Sequence, residues 1–139
     1  MSLFRIMDIS GSALSAQTIR MNTTASNMAN ANSASSSIDK TYRARHPVFS
    51  TLVDQFAFED QPSSGVKVDG IVESEAPLRQ EYSPHHPLAN EEGYVFMPNV
   101  NVIEEMANMI SASRSYQTNV EIMEASKQMM QQALTLGQR

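Results

Sequence analysis

Cysteine and tryptophan are both absent from this 139-residue sequence. Without thiols the chain has no disulfide framework and no thiol chemistry, and it suits a reducing or an oxidising compartment alike. Its five glycines are scattered as Gly11, Gly65, Gly70, Gly93 and Gly137, so no glycine-rich loop can cradle a phosphate. No apolar run approaches the roughly 20 residues needed to cross a bilayer. The segment Leu3-Phe4-Arg5-Ile6-Met7-Asp8-Ile9 is broken by charge and lacks the basic leader of a secretory signal. The expectation is therefore a chain that, if it leaves the cytoplasm, does so without a cleaved leader. A formal net charge of −5 argues against nucleic acid or an anionic membrane as the main partner. The length fits one domain with at most a small second lobe.

Reactive side chains do not converge in the sequence. The histidines are His46, His85 and His86. His85 and His86 are adjacent and flanked by Pro84 and Pro87, which does not aim both rings at one metal, and no i, i+4 histidine pair completes a site. No serine sits in a nucleophile elbow. Glu104 and Glu105 read as first-turn acids favoured by a helix dipole, not as a catalytic pair. Arg43 and Arg45 read as a solvated or partner-facing strand face. Neither an enzyme, a cofactor nor a metal site is expected.

Proline divides the chain. All six prolines lie between Pro47 and Pro98, whereas only Met97 of the ten methionines does. The chain thus reads as helix (1–33), irregular middle with strands (34–98), helix (99–139), a mainly α architecture with a small β middle. The final helix is the strongest signal. Alternating steps of four and three from Val102 give Val102, Met106, Met109, Ser113, Tyr116, Val120, Met123, Lys127, Met130 and Leu134, a heptad seam. Ile103, Ala107 and Ile110 widen it at the start. Asn101 is positioned to cap with Glu104 reaching back, and Gly137 marks the stop. Such a helix is on the order of 50 Å long, more than one small domain can cover. The methionine stripe has two readings, ordinary core or an interface that repacks around different neighbours. The helix length favours the interface.

The first thirty residues repeat the theme as Phe4, Met7, Gly11, Leu14, Thr18, Met21, Ala25 and Met28. Arg5, Asp8 and Arg20 are the sole charges before Asp39, and the opposite face is Ser, Thr, Gln and Asn. Such a helix is poor in isolation, yet its uncharged polar groups are cheaply desolvated once covered. Disorder in the free chain and order in an assembly are compatible. Asn27, Asn30 and Asn32 suit a helix exit through the left-handed conformation, and Ser33 to Ser37 read as a flexible joint. In the middle, Val48 to Val53 and Phe56 to Phe58 predict one or two strands. Val66 and Val68 alternate ahead of Asp69-Gly70, which predicts a two-residue hairpin turn into Ile71-Val72. Ala76 to Met97 predicts mostly ordered loop with a short strand at Tyr94 to Met97.

Several blocks resemble a known family. Asn27-Met28-Ala29-Asn30-Ala31-Asn32-Ser33 is similar to the N-x-A-N-x-x-T signature of flagellar rod and hook axial proteins, with Ser33 in place of threonine. Tyr42-Arg43 followed by Val48-Phe49 resembles the family's next block. Pro84-His85-His86-Pro87-Leu88-Ala89, Gly93 through Met106, and Ala112 through Val120 resemble the basal-body rod members, Ser83 standing where an acid is usual. The resemblance spans essentially the whole chain. It implies a non-catalytic structural subunit of the drive shaft that crosses the periplasm, with its terminal helices paired as a coiled coil and stacked into a tube around an export channel. The implied partners are copies of itself, the rod proteins FlgB, FlgF and FlgG, and the adaptor FliE, with transient contact to the type III export apparatus. No membrane insertion is implied. The expected interface comprises Phe4, Met7, Leu14, Met21, Asn27, Met28 and Asn30 on the first helix. On the second it comprises Val102, Met106, Met109, Ile110, Tyr116, Val120, Met123, Met130 and Leu134. The competing class is a soluble helical adaptor or export chaperone in the cytoplasm, which accounts for the heptads but not for the Asn and Pro-Asn-Val motifs.

Overall fold

The computed structural model describes residues 3–52 and 65–137. Two long helices, α1 (Leu3–Asn30) and α2 (Val102–Gly137), enclose four strands: β1 (Arg45–Leu52), β2 (Gly65–Glu73), β3 (Arg79–Tyr82) and β4 (Tyr94–Met97). A 3-10 turn at Ile38–Lys40 links α1 to β1. The protein is thus mainly α with a small antiparallel β middle.

The helices run antiparallel and pack along one another. Arg20 of α1 donates from Nη2 to Asn108 Oδ1 of α2 at 3.0 Å, and Ala31 just past α1 clusters with Val100 just before α2. Counting back from Arg20, Leu3 lies level with about residue 125, so about three turns of α2 project beyond α1. α1 also packs on β1 and β2 and is therefore covered on two sides. This explains its composition. Ser10, Thr23, Thr24 and Asn27 are buried there without charge, and the Ser12, Thr18 and Thr23 hydroxyls fold back on carbonyls of their own helix, Thr23 Oγ1 on Ile19 O at 2.8 Å.

The ends of the helices differ in detail from the sequence expectation. Asn101 Oδ1 does accept from the Ile103 N–H at 3.1 Å, satisfying one orphan donor of the first turn. Glu104, however, accepts from the Asn101 side-chain amide at 3.0 Å instead of from the backbone. α1 ends without a left-handed asparagine, since among the described residues only glycines have positive φ. Its last carbonyl, that of Asn30, is closed by Ser33, whose N–H and hydroxyl both donate to it.

β1 and β2 pair antiparallel from Arg45↔Glu73 to Leu52↔Gly65. The expected hairpin turn at Asp69-Gly70 does not form; both residues lie inside β2. Val48 faces Gly70 while Phe49 faces Val68, so Asp69 is the extra residue of a β-bulge. A turn-forming dipeptide served a local kink instead of a reversal. The expected strand residues Val53 and Phe56 to Phe58 lie outside the described residues. β4 forms at Tyr94–Met97 as the sequence indicates, and it pairs with β3, a strand that the loop expectation for Ala76 to Met97 omitted. Arg79–Tyr82 is exposed along its whole length, so no alternation of burial marked it. Ser35 bridges Phe96 and ties the joint after α1 to the same sheet.

Two glycines are fixed by space. A Cβ on Gly65 would lie 2.5 Å from Ser12 Oγ, the atom that accepts the Val66 N–H at 3.1 Å, so glycine lets β2 touch α1. Gly93 has φ +83° and abuts the Tyr82 ring, which packs edge-on against Tyr94 at 5.2 Å.

Candidate functional site: three faces of the second helix

The fully covered positions of α2 are Glu105, Ala112 and Ser126, with half-buried Asn119 completing a seven-residue repeat. Met109, Tyr116, Met123 and Met130 are half-buried beside them. Together these form an alternating four-three series, the face that α2 turns to α1. Small residues occupy its centre: Ala112 is 0% exposed. Ser126 closes its hydroxyl on Ile122 O. That permits close approach of the two helices while the methionines fill the margins.

Two further apolar sets lie off this face. At about 100° per residue, Ile103, Met106 and Ile110 fall on one flank, and Ile122, Met129 and Leu136 fall on the other at seven-residue spacing. All six are exposed, from 41% at Ile122 to 79% at Ile103. The first flank runs into a depression of about 630 Å³ lined by Ala76, Pro77, Arg79, Val100 and Val102. A helix with apolar residues on three sides, of which α1 covers one, carries surface that water does not favour. Among the described residues no helix is long and apolar enough to cross a membrane.

The expected interface residues divide accordingly. Met109, Tyr116, Met123 and Met130 lie on the margin of the α1-facing side, and Val120 is half-buried. Val102, Met106, Ile110 and Leu134 are exposed, Leu134 because α1 ends before reaching it. On α1, Met7, Leu14, Met21 and Met28 are half-buried, Asn27 is fully buried, Asn30 donates to Ser26 O, and Phe4 is 68% exposed. The structure adds Ile122, Met129 and Leu136. Their seven-residue spacing is readable in the sequence, but a seam started at Val102 steps past all three. Charges contribute little here: Arg45–Glu73 and Lys67–Asp69 are exposed pairs on the strands.

Comparison with known proteins locates these helices in a family. Residues 7–34 match the family described as flagella basal body rod protein. Residues 91–136 match the C-terminal family of the flagellar basal body rod FlgEFG proteins. The flagellar basal-body rod proteins FlgC of Salmonella typhimurium and Yersinia enterocolitica are each 51% identical to this chain over 138 residues, spanning 99% of it and 100% of the relative. FlgC of Buchnera aphidicola from Acyrthosiphon pisum is 39% identical over 140 residues with the same coverage. Similarity of this degree, sustained through both helices and the middle lobe, shows that the chain belongs to the FlgC family of flagellar basal-body rod proteins, non-enzymatic structural subunits of the proximal rod.

Proposed function

We propose that this subunit stiffens the rod as part of a drive shaft crossing the periplasm, its helices packing through heptad seams with neighbouring subunits. The observation that carries the reading is the α2 surface just described: one flank at Ile103, Met106 and Ile110, another at Ile122, Met129 and Leu136, both left open by α1. One neighbour on each flank would bury both. A contact between unlike surfaces that does not close on itself propagates as a helix of subunits, which is the symmetry of a shaft. Close-packed helices near the shaft axis resist twist, because interiors at crystal-like density transmit strain. Copies of the chain, FlgB, FlgF, FlgG and FliE are the proposed neighbours, reached after type III export of the unfolded chain. The charge-poor α1, with Arg5, Asp8 and Arg20 as its only charges, supports ordering late, on assembly.

Cell fractionation tests this directly. The tagged chain is expected to sediment with detergent-extracted basal bodies and to remain there in high salt, since the contacts are apolar. Recovery in the cytoplasmic fraction bound to another flagellar protein would instead establish the helical adaptor or chaperone.

A further inference from the structure

We infer that Asn27 and Asn99 form a two-edged clasp that fixes the middle lobe to the helical pair. Both act on the two residues where the chain enters β1. Asn27, fully buried in α1, donates from Nδ2 to Arg45 O at 2.8 Å and accepts the Arg45 N–H on Oδ1 at 2.9 Å. Its side-chain amide thereby does what a neighbouring strand would do. Tyr42 Oη donates to the same Oδ1 at 2.8 Å and orients the group. Asn99, between β4 and α2, accepts the Ala44 N–H on Oδ1 at 2.8 Å. Its Nδ2 donates to Ala76 O at 2.8 Å and Ser74 O at 3.3 Å, just past the end of β2. Ser74 N–H in turn donates to Ala44 O at 2.7 Å.

In extended chain, successive residues direct their N–H and C=O to opposite edges. Ala44 is held at one edge by Asn99, and Arg45 is held at the other by Asn27. The strand entry is therefore gripped from both sides, by a side chain of α1 and by one from the segment that leads into α2. Arg43 adds weight to the Asn99 side by donating from Nη1 to Ser74 O at 3.1 Å. Asn27 and Asn99 are positioning residues: with α1 docked on α2 both hold, and with α1 displaced the Arg45 edge loses its partner while the Ala44 edge keeps Asn99. Lobe orientation thus follows helix pairing, which couples twist in the helices to the lobe. The clasp stands on contacts within one chain and does not depend on how subunits stack.

The cysteine-free sequence makes the test selective. Arg20→Cys and Asn108→Cys, joined by a short bis-maleimide, hold α1 on α2 in the full chain, and hydrogen exchange by NMR reads single amides. In the joined chain the Ala44 and Arg45 amides are expected to be protected. Adding Asn27→Ala should accelerate exchange at Arg45 by about tenfold or more and spare Ala44, and Asn99→Ala should do the reverse. Thr23→Ala, which removes a buried hydroxyl bonded only within α1, should not separate the two amides. Arg45 protection unchanged within about twofold in Asn27→Ala, or Ala44 and Arg45 moving together in both asparagine variants, overturns the clasp. Should Asn27→Ala fail to fold, the joined chain without it is read at the side-chain amide protons. Those of Asn27 should exchange far more slowly than those of exposed Asn32, and equal rates overturn the clasp.

Discussion

Replacing Ile110 with glutamate separates the stability of the subunit from its incorporation. The side chain is 54% exposed on the first flank of α2 and faces away from α1. In the free chain the change is a surface substitution, expected within about 0.5 kcal/mol of neutral, and glutamate is the better helix former. In the proposed assembly the same position is covered by a neighbouring subunit. Full burial of an isoleucine stabilises by about 1.5–3 kcal/mol, so covering its exposed half contributes about 1 kcal/mol. A glutamate sealed in an apolar contact protonates sooner than it stays charged, and neutralising a carboxyl of pKa about 4.3 at pH 7 costs about 4 kcal/mol. The sum is about 5 kcal/mol per contact, more than a thousandfold in association. Far-UV circular dichroism and thermal melting of the purified chain should match the parent, while the variant fails to restore swarming and does not sediment with basal bodies. Met109→Glu and Val120→Glu are poorer probes. Both side chains are already half-buried within the chain, so they lower stability as well as assembly. Normal motility with normal basal bodies in Ile110→Glu would refute the flank as an interface.

Two further outcomes test the pairing of the helices and the cap of α2. Ala112→Leu inserts bulk at a position with no exposed surface and should cost about 1–3 kcal/mol by forcing α1 and α2 apart, read as a lower denaturant midpoint at constant slope in the chain whose helices are joined through Arg20→Cys and Asn108→Cys. Asn101→Ala removes both the bond from the Ile103 N–H and the link to Glu104. It should destabilise the chain by about 1 kcal/mol, with faster amide exchange confined to the first turn of α2; Asn101→Ser should recover most of it.

Much of the architecture is legible in the residues because it depends on local rules. Proline confined to Pro47–Pro98 and an uninterrupted periodic run after Asn101 set the helix–middle–helix order, as helix period and backbone geometry require. The Asn101 cap and the strand at Tyr94–Met97 follow for the same reason. Asp69-Gly70 is ambiguous in sequence, because the same dipeptide sits in a turn or beside a bulge and only the partner strand decides between them. Arg79–Tyr82 is not legible in the residues, because a strand exposed on both faces carries no alternation of apolar and polar side chains.

The phase of α2 is the other thing that sequence left open. Apolar spacing establishes that several faces exist, and it supported a seam from Val102 as readily as one from Glu105. Tertiary packing turned the face centred on Ala112 and Ser126 to α1, because small side chains let two helices approach where isoleucines would hold them apart. That choice pushed Ile103, Ile110, Ile122 and Leu136 outward. Likewise the motif asparagine Asn27 is plain in the sequence, yet its grip on Arg45 joins residues 18 apart in the chain, a relation that no local pattern encodes and only folding brings into being.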